Sequence, residues 1–297
     1  MKRIAVLACA LALLGTGAGC GGPRVGDGDL TNNWAMLGTP KVPEPKAGDC
    51  WTTMATTIGK MKSSGLTQAP CDMEHIFETA KVGHFTGTAA DSSSPPSPSQ
   101  LTEAWTDCDK AALDYLGAEW QAGRVHVVVS SPTNRQWTGG ARFYRCDIGA
   151  LRTEAGTFEP RHDTMKGVLA SDGDLKLGCG TQVGTTADSW DDITPAKCTE
   201  PQDVEYVGSV SSPGNDYPAD GKAYDAAFGK TCQAKMLAYI GMSRSHWSSV
   251  KALYYGFWMT TGSKDEWTAG NHTARCYLMI DKKKITRSLK GAGDVRI

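Results

Sequence analysis

The hydrophobic residues of this chain follow two different periods, and the periods alternate in the same order in each half. Apolar residues at every second position predict strands over 76–82 and 204–210, the first with alternate residues from Ile76 to Val82 on one face. Apolar residues spaced three and four apart then predict one long helix in each half. The two helical stripes are Leu101, Trp105, Cys108, Ala112, Tyr115 and Leu116, and Phe228, Cys232, Met236 and Ile240.

Runs of β-branched and aromatic residues after each helix predict further strands. These later strands are expected over 125–130, 143–148, 253–259 and 274–280. The matching segments 163–167 and 287–291 are each interpreted as a last strand. Each half is therefore predicted to be α+β, with one main helix packed on a small antiparallel sheet.

Four cysteines of the first half recur in the second half at a nearly constant shift. The matched pairs are Cys50 with Cys179, Cys71 with Cys198, Cys108 with Cys232, and Cys146 with Cys276. The residues around them recur as well, Glu78 and Glu205 among them. A repeat at a fixed spacing indicates a tandem duplication. It divides the chain into two disulfide-stapled modules, 48–171 and 172–297.

The N-terminal segment has the pattern of an export signal. A basic start precedes an apolar run that is too short to span a bilayer, and small residues follow up to Cys20. Small residues directly before a cysteine resemble a bacterial lipobox, although Gly17 stands where an aliphatic residue is usual. We predict a lipoprotein-type signal at 1–20, a lipid on Cys20, a flexible tether at 21–47 and a location on the outer face of the cell membrane. An ordinary cleaved secretory signal is the alternative.

Composition narrows the class of protein further. Hydrophobic residues make up 40% of the chain and charged residues 21%, as in a soluble globular domain. The net charge of -1 argues against nucleic acid as a partner, because nucleic acid requires a basic surface. The sequence contains no Gly-x-Ser-x-Gly elbow, glycine-rich phosphate loop or EF-hand calcium loop. It therefore predicts neither a cofactor nor a metal.

The cysteines are interpreted as disulfides rather than as zinc ligands, because an exported chain enters an oxidising compartment and no Cys-x-x-Cys spacing is present. Four cysteines in a module allow three connectivities. The expected elements favour one of these connectivities. The first two cysteines bracket a hairpin, while the third lies on the buried stripe of the helix and the fourth on a strand beneath that helix. We predict the bonds Cys50–Cys71, Cys108–Cys146, Cys179–Cys198 and Cys232–Cys276.

A pair of opposite charges recurs in the two modules. Arg145 with Glu78, and Arg275 with Glu205, are predicted to meet across neighbouring strands inside their own module. Pairs of this kind contribute little when they are exposed.

The cysteine motifs have recognisable neighbours. In the first module the pattern consists of Gly48-Asp49-Cys50, Pro70-Cys71, His75, Glu78, Cys108, Trp137, Gly140 and Cys146. This pattern resembles the septum formation family of actinobacterial cell-envelope proteins. The second module departs from it by lacking Asp before Cys179 and by having Gln202 in place of His75. The resemblance implies an exported, lipid- or membrane-tethered protein with a role in septum or envelope biology and no established chemistry.

His75 is the candidate for chemistry, because the neighbouring Glu78 would orient the imidazole and raise its basicity. Against a catalytic or metal role, too few ligand types lie together, and Gln202 at the matching position keeps a hydrogen bond but cannot titrate. No catalytic residue is assigned, and the oligomeric state is left open.

Two hypotheses follow. The first is a non-enzymatic adaptor that binds the membrane through its lipid and an unknown envelope protein or polymer through its modules. The second is an envelope hydrolase with its site around His75. A pocket that joins His75, Glu78 and a third polar group would favour the enzyme, and a buried His75 would favour the adaptor.

Overall fold

The computed structural model describes residues 42–52, 67–154, 157–184, 191–250, 254–280 and 283–294. The predicted signal, Cys20 as the predicted lipid site and most of the tether lie outside these residues, so the lipid anchor stays a prediction. The described residues belong to one compact unit. Where one module ends and the next begins likewise stays a prediction.

The first module is built on an antiparallel sheet that has six strands among the described residues. The strands are β1 (Cys50–Thr52), β2 (Thr67–Ala69), β3 (Phe77–His84), β4 (Val125–Ser130), β5 (Phe143–Leu151) and β6 (Phe158–Glu159). Their order is β2-β1-β3-β5-β4, and β6 also pairs with β5.

The second module has a sheet with five described strands. They are β7 (Cys179–Val183), β8 (Asp192–Pro195), β9 (Val204–Ser211), β10 (Tyr254–Thr261) and β11 (Thr273–Ile280). Their order is β8-β7-β9-β11-β10, again antiparallel, so each strand occupies the place of its counterpart in the first sheet. With the helices described next, these sheets confirm the α+β prediction.

Each sheet carries one main helix among the described residues. In the first module, α2 (Thr102–Leu116) lies between the short helices α1 (Gly87–Asp91) and α3 (Asn134–Thr138). In the second, α4 (Gly221–Tyr224), a π-helical turn over 225–229 and α5 (Lys230–Ile240) form a continuous run, followed by α6 (Arg244–Val250) and α7 (Lys264–Ala269). Every helix in the described part of the chain is too short or too polar to cross a membrane.

The apolar stripe of α2 packs on β3, β4 and β5, as its period predicts. Cys108, Ala112 and Leu116 are buried on the helix, and Val127 and Ile148 are buried beneath them. The helix ends where Gly117 adopts a left-handed conformation with φ of 82° and donates its N–H to the carbonyl of Leu113.

Within the described residues, four disulfides have the predicted connectivity. They are Cys50–Cys71, Cys108–Cys146, Cys179–Cys198 and Cys232–Cys276. In each module the first bond joins the first strand to the segment after the second strand. The second bond attaches the main helix to β5 in the first module and to β11 in the second.

Two predictions about strands are wrong. The segments 163–167 and 287–291 are bends and turns rather than last strands. An isolated bridge at Arg161 precedes the first segment, and one at Ile285 precedes the second. In β3, a bulge between Thr79 and Lys81 interrupts the alternation that would have put one set of residues on a single face. Residues before and after the bulge consequently pack against different apolar clusters.

Candidate functional site

Glu78 is a buried carboxylate in the middle of the first module. It lies in β3 opposite Cys50 of β1 and is 1% exposed. The hydroxyl of Tyr115, on α2, donates to its Oε2 at 2.6 Å. The Thr164 hydroxyl donates to the same oxygen at 3.0 Å, and the backbone N–H of Met165 lies 2.8 and 3.0 Å from the two carboxylate oxygens.

His75 contacts the same carboxylate and is 0% exposed. Its Nε2 lies 3.0 Å from Oε1 of Glu78, and its Nδ1 lies 2.8 Å from the carbonyl oxygen of Met73. Both ring nitrogens face oxygen acceptors, so the ring satisfies both contacts when each nitrogen carries a proton. The His75–Glu78 cluster comprises His75, Glu78, Tyr115, Thr164 and Met165.

The second module repeats this cluster with an amide in place of the imidazole. Gln202 Nε2 donates to Glu205 Oε1 at 3.2 Å, and the backbone N–H of Leu289 donates to the same oxygen at 2.8 Å. The hydroxyls of Tyr239 and Ser288 each donate to Oε2 at 2.9 Å. The prediction that Gln202 keeps the hydrogen bond is confirmed. These five residues are the Gln202–Glu205 cluster.

The tyrosine of each cluster is a fixed hydrogen-bond donor. Burial, reinforced by the hydrogen bond to Glu78, raises the pKa of Tyr115 to about 12. Burial also raises the pKa of Tyr239 to about 12. Both phenols therefore keep their protons at neutral pH, and each cluster surrounds its carboxylate with groups that can only donate to it.

The ligand atoms of Cys50, His75 and Glu78 all lie within 4.8 Å of one another, which is close enough for a shared metal ion. The donor set does not fit one in this state. The Cys50 sulfur is bonded to Cys71 and offers no thiolate. The oxygens of Glu78 already accept hydrogen bonds that a cation would have to displace.

The predicted pairing of Arg145 with Glu78 is wrong. The strand register places Arg145 opposite Val82, several residues along β3 from Glu78. Its guanidinium instead pairs with Asp147, with Nη2 2.8 Å from Oδ2, and lies 4.0 Å from the ring centre of Trp51. Arg145 therefore stabilises the sheet face that is remote from the His75–Glu78 cluster.

The predicted pairing of Arg275 with Glu205 is also wrong, because Arg275 reaches out of its own module. Its Nη1 lies 2.9 Å from Oε1 of Glu154. The guanidinium also donates to the carbonyl oxygens of Trp120, Gln121, Gly123 and Val125. Nearby, Nε2 of His126 lies 2.8 Å from Oε1 of Glu266, and both side chains are buried. These contacts form the module interface.

A groove of about 1000 Å³ runs beside the module interface. Its wall includes Tyr206 and Tyr239, together with Lys197, Glu200 and Lys290. The groove thus combines aromatic surface with charges of both signs, a combination that suits recognition of a polar partner.

Sequence reasoning singled out His75 and Glu78, and the structure brings them together. It missed the donors that complete the cluster, because no local pattern links Glu78 to Thr164 or Met165. The available signal was the match between segments 163–167 and 287–291, which carry the equivalent donors in the two modules. Sequence reasoning also gave no sign that His126 meets Glu266, because the two residues lie far apart along the chain.

No curated protein and no solved structure matches the chain. The family model described as septum formation matches residues 47–276. This range covers most of the chain and extends from just before the first disulfide to the last disulfide cysteine. The chain therefore belongs to the septum formation family.

Proposed function

We propose that this protein is exported and works as a membrane-tethered, non-enzymatic binding or structural adaptor in septum or envelope biology. The observation that carries the proposal is the enclosure of the candidate catalytic pair, since His75 and Glu78 are 0% and 1% exposed. A general base must come within hydrogen-bonding distance of the substrate proton that it removes. A pair sealed in the core does not meet that requirement.

The second module supports the same proposal. Gln202 replaces His75, yet the carboxylate of Glu205 accepts hydrogen bonds from the same kinds of group in the same places. An amide cannot take up a proton as an imidazole does. A cluster that keeps its hydrogen bonds without its acid–base chemistry fits a stabilising role, and this counts against the hydrolase hypothesis.

The disulfides and the family support a location outside the cytoplasm, where such bonds persist. The predicted lipid on Cys20 would supply the tether. Substituting Cys20→Ser is expected to move the protein from the membrane fraction to the soluble fraction. A variant that fractionates like the wild type would remove the tether from the proposal.

An adaptor must hold its binding surfaces at a fixed separation, and the buried polar contacts of the module interface, Arg275–Glu154 and His126–Glu266, are suited to do so. The groove beside this interface is the surface on which we place partner binding. Lys290 is exposed in the groove. Lys166, its counterpart in the first module, is equally exposed but does not line the groove, so it provides a matched control.

The binding test is a cross-linking pull-down from intact envelopes with the wild type, Lys290→Glu and Lys166→Glu. The wild type and Lys166→Glu are expected to retain the same envelope component, and Lys290→Glu to lose it. Equal recovery by all three would exclude the groove as the binding surface.

The activity test uses isolated envelope material. Neither the wild type nor His75→Gln is expected to release soluble fragments from it. Release by the wild type that His75→Gln abolishes would overturn the adaptor proposal in favour of the hydrolase.

A further inference from the structure

The bonds Cys50–Cys71 and Cys179–Cys198 occupy the same place in the two modules. In each bond the first cysteine is buried, at 1% and 6% exposure, and the second is half-buried. The first cysteine also lies opposite the buried glutamate of its cluster in the strand register. The two disulfides are therefore matched in topology and in accessibility.

They differ in the charge next to the buried sulfur. A ring nitrogen of His75 and a carboxylate oxygen of Glu78 both lie within 4.8 Å of the Cys50 sulfur, and an imidazolium at His75 would neutralise that carboxylate. The second module has neutral Gln202 in this place, so the carboxylate of Glu205 has no positive partner within its cluster. A thiolate is stabilised by a neighbouring imidazolium and opposed by a neighbouring carboxylate.

We propose that Cys50–Cys71 is a site of thiol–disulfide exchange with an external dithiol, and that Cys179–Cys198 is its inert structural twin. The inference goes beyond the adaptor role. It rests on Cys50 as a buried leaving group whose thiolate is stabilised, and on the accessible sulfur of Cys71 on the other side of the same bond.

The exchange proceeds in two steps. A thiolate of the dithiol attacks the half-buried sulfur of Cys71, the S–S bond breaks, and Cys50 leaves as a thiolate beside His75. The second thiolate of the dithiol then attacks the reductant sulfur of the mixed disulfide, and Cys71 leaves and takes up a proton. The protein bond gains two electrons, and the dithiol becomes a disulfide.

The exposed charges next to the two bonds oppose this difference in thiolate stability. The anionic Asp72 follows Cys71, and the cationic Lys197 precedes Cys198. Both side chains are exposed, and salt screens them strongly. The contact between His75 and Glu78 is buried and is screened far less. At about 0.5 M salt, where the Debye length is about 4 Å, the buried difference therefore decides the order of reduction.

The fold provides for this exchange without unfolding. Apart from this bond, β1 pairs with both β2 and β3, and Cys108–Cys146 attaches α2 to β5, so we expect the first module to stay folded after reduction. The test can therefore be made on the folded, full-length exported protein.

In the test, the protein is equilibrated with limiting dithiothreitol at about pH 7 and about 0.5 M salt, then alkylated and mapped by mass spectrometry. The equilibrium constant for reduction of Cys50–Cys71 is expected to exceed that of Cys179–Cys198 by about tenfold, the effect of one pKa unit on a thiol. Cys108–Cys146 should stay oxidised and report that the first module remains folded.

Two substitutions, one beside each buried cysteine, isolate the contribution of His75 to the ease of reduction. His75→Gln is expected to remove the difference between the twin bonds, and Gln202→His to make Cys179–Cys198 as reducible as its twin. Equal reduction of both bonds in the wild type would overturn the proposal. A preference for Cys50–Cys71 that survives His75→Gln would do the same, and if that variant fails to fold, an unchanged second bond in Gln202→His would be decisive.

Discussion

At the scale of single residues, Glu78 and Glu205 are the groups on which the buried polar contacts of the two modules converge. Each accepts hydrogen bonds from a tyrosine, from a hydroxyl side chain and from a backbone N–H. These donors are desolvated, so the loss of their acceptor would be expensive.

Glu78→Gln is expected to lower the free energy of unfolding by about 3 kcal/mol, because it leaves His75 without its anionic partner and sets an amide N–H₂ against other donors. The change should appear as a lower urea midpoint at an unchanged slope. Glu74→Gln is the control, since Glu74 is 67% exposed and should matter by less than about 0.5 kcal/mol. Similar midpoints for the two variants would show that the cluster is not a structural centre.

Tyr115 makes the stability of the protein sensitive to alkali. The phenol ionises near pH 10 in the unfolded chain but at about 12 in the folded protein, where burial and Glu78 favour the neutral form. The folded state thus keeps the proton to a higher pH than the unfolded chain does. The stability that Tyr115 contributes is therefore fully present below pH 10 and is lost as the pH rises towards 12.

Tyr115→Phe should therefore lose stability less steeply than the wild type between pH 10 and 12, as measured by urea unfolding at a series of pH values. Tyr239→Phe should repeat the effect in the second module, because burial raises that pKa as well. Parallel curves for the wild type and Tyr115→Phe would contradict the assignment.

Residue identity alone did not predict which charges meet. Arg145 and Arg275 each precede a matched cysteine, yet Arg145 pairs with Asp147, where the second module has Tyr277, and Arg275 pairs with Glu154. The partner of Arg145 lies two residues away on the same strand. The partner of Arg275 depends on the packing of one module on the other, which no local motif shows.

At the scale of elements, the helices were predictable because their apolar stripe alone decides which face is buried. The two disulfides of the main helices followed from the same stripe, which places each helical cysteine against its sheet. The supposed last strands failed for a physical reason. The backbone N–H groups of Met165 and Leu289 bind buried carboxylates instead of a neighbouring strand, and apolar periodicity cannot distinguish these uses.

The C-terminal end of α2 offers a test at this scale. Gly117 has φ of 82°, and an added Cβ would lie 2.8 Å from Cβ of Ala170. Gly140 has a similar φ of 90° but open space around it. Both substitutions to Ala impose a left-handed conformation on a residue with a side chain, which costs about 1 kcal/mol.

Gly117→Ala is therefore expected to destabilise the protein by at least about 1 kcal/mol more than Gly140→Ala, because it adds overpacking to the conformational cost. Thermal unfolding of the two variants measures the difference. Equal melting temperatures would mean that the contact between α2 and the segment at 170 can relax.

At the scale of the whole molecule, the duplicated strand order agrees with the repeated cysteines, because each pair of matched cysteines lies on matched elements. The module interface was not predictable. It depends on the pair of Arg275 and Glu154, which lie in different modules. Aligning the two halves of the sequence gives no sign that these two residues meet.

Glu154→Gln is expected to destabilise the protein by about 3 to 5 kcal/mol, since it leaves the Arg275 guanidinium buried without its anionic partner. Asp174→Asn breaks an ion pair with Arg161 in which the carboxylate is 61% exposed, and should change stability by less than about 1 kcal/mol. Denaturant unfolding compares them. If the two variants are equally stable, the interface does not depend on the buried pair.

The different partners of Arg145 and Arg275 also bear on how the two modules are joined. The two modules meet through unlike surfaces, and a head-to-tail contact of that kind repeats unless a terminal unit is altered. In the first module Arg145 is already bound by Asp147 and Trp51. It therefore cannot bind another module as Arg275 does. The first module thus has the property of an end cap, because the contact that joins these two modules cannot be repeated by its own arginine.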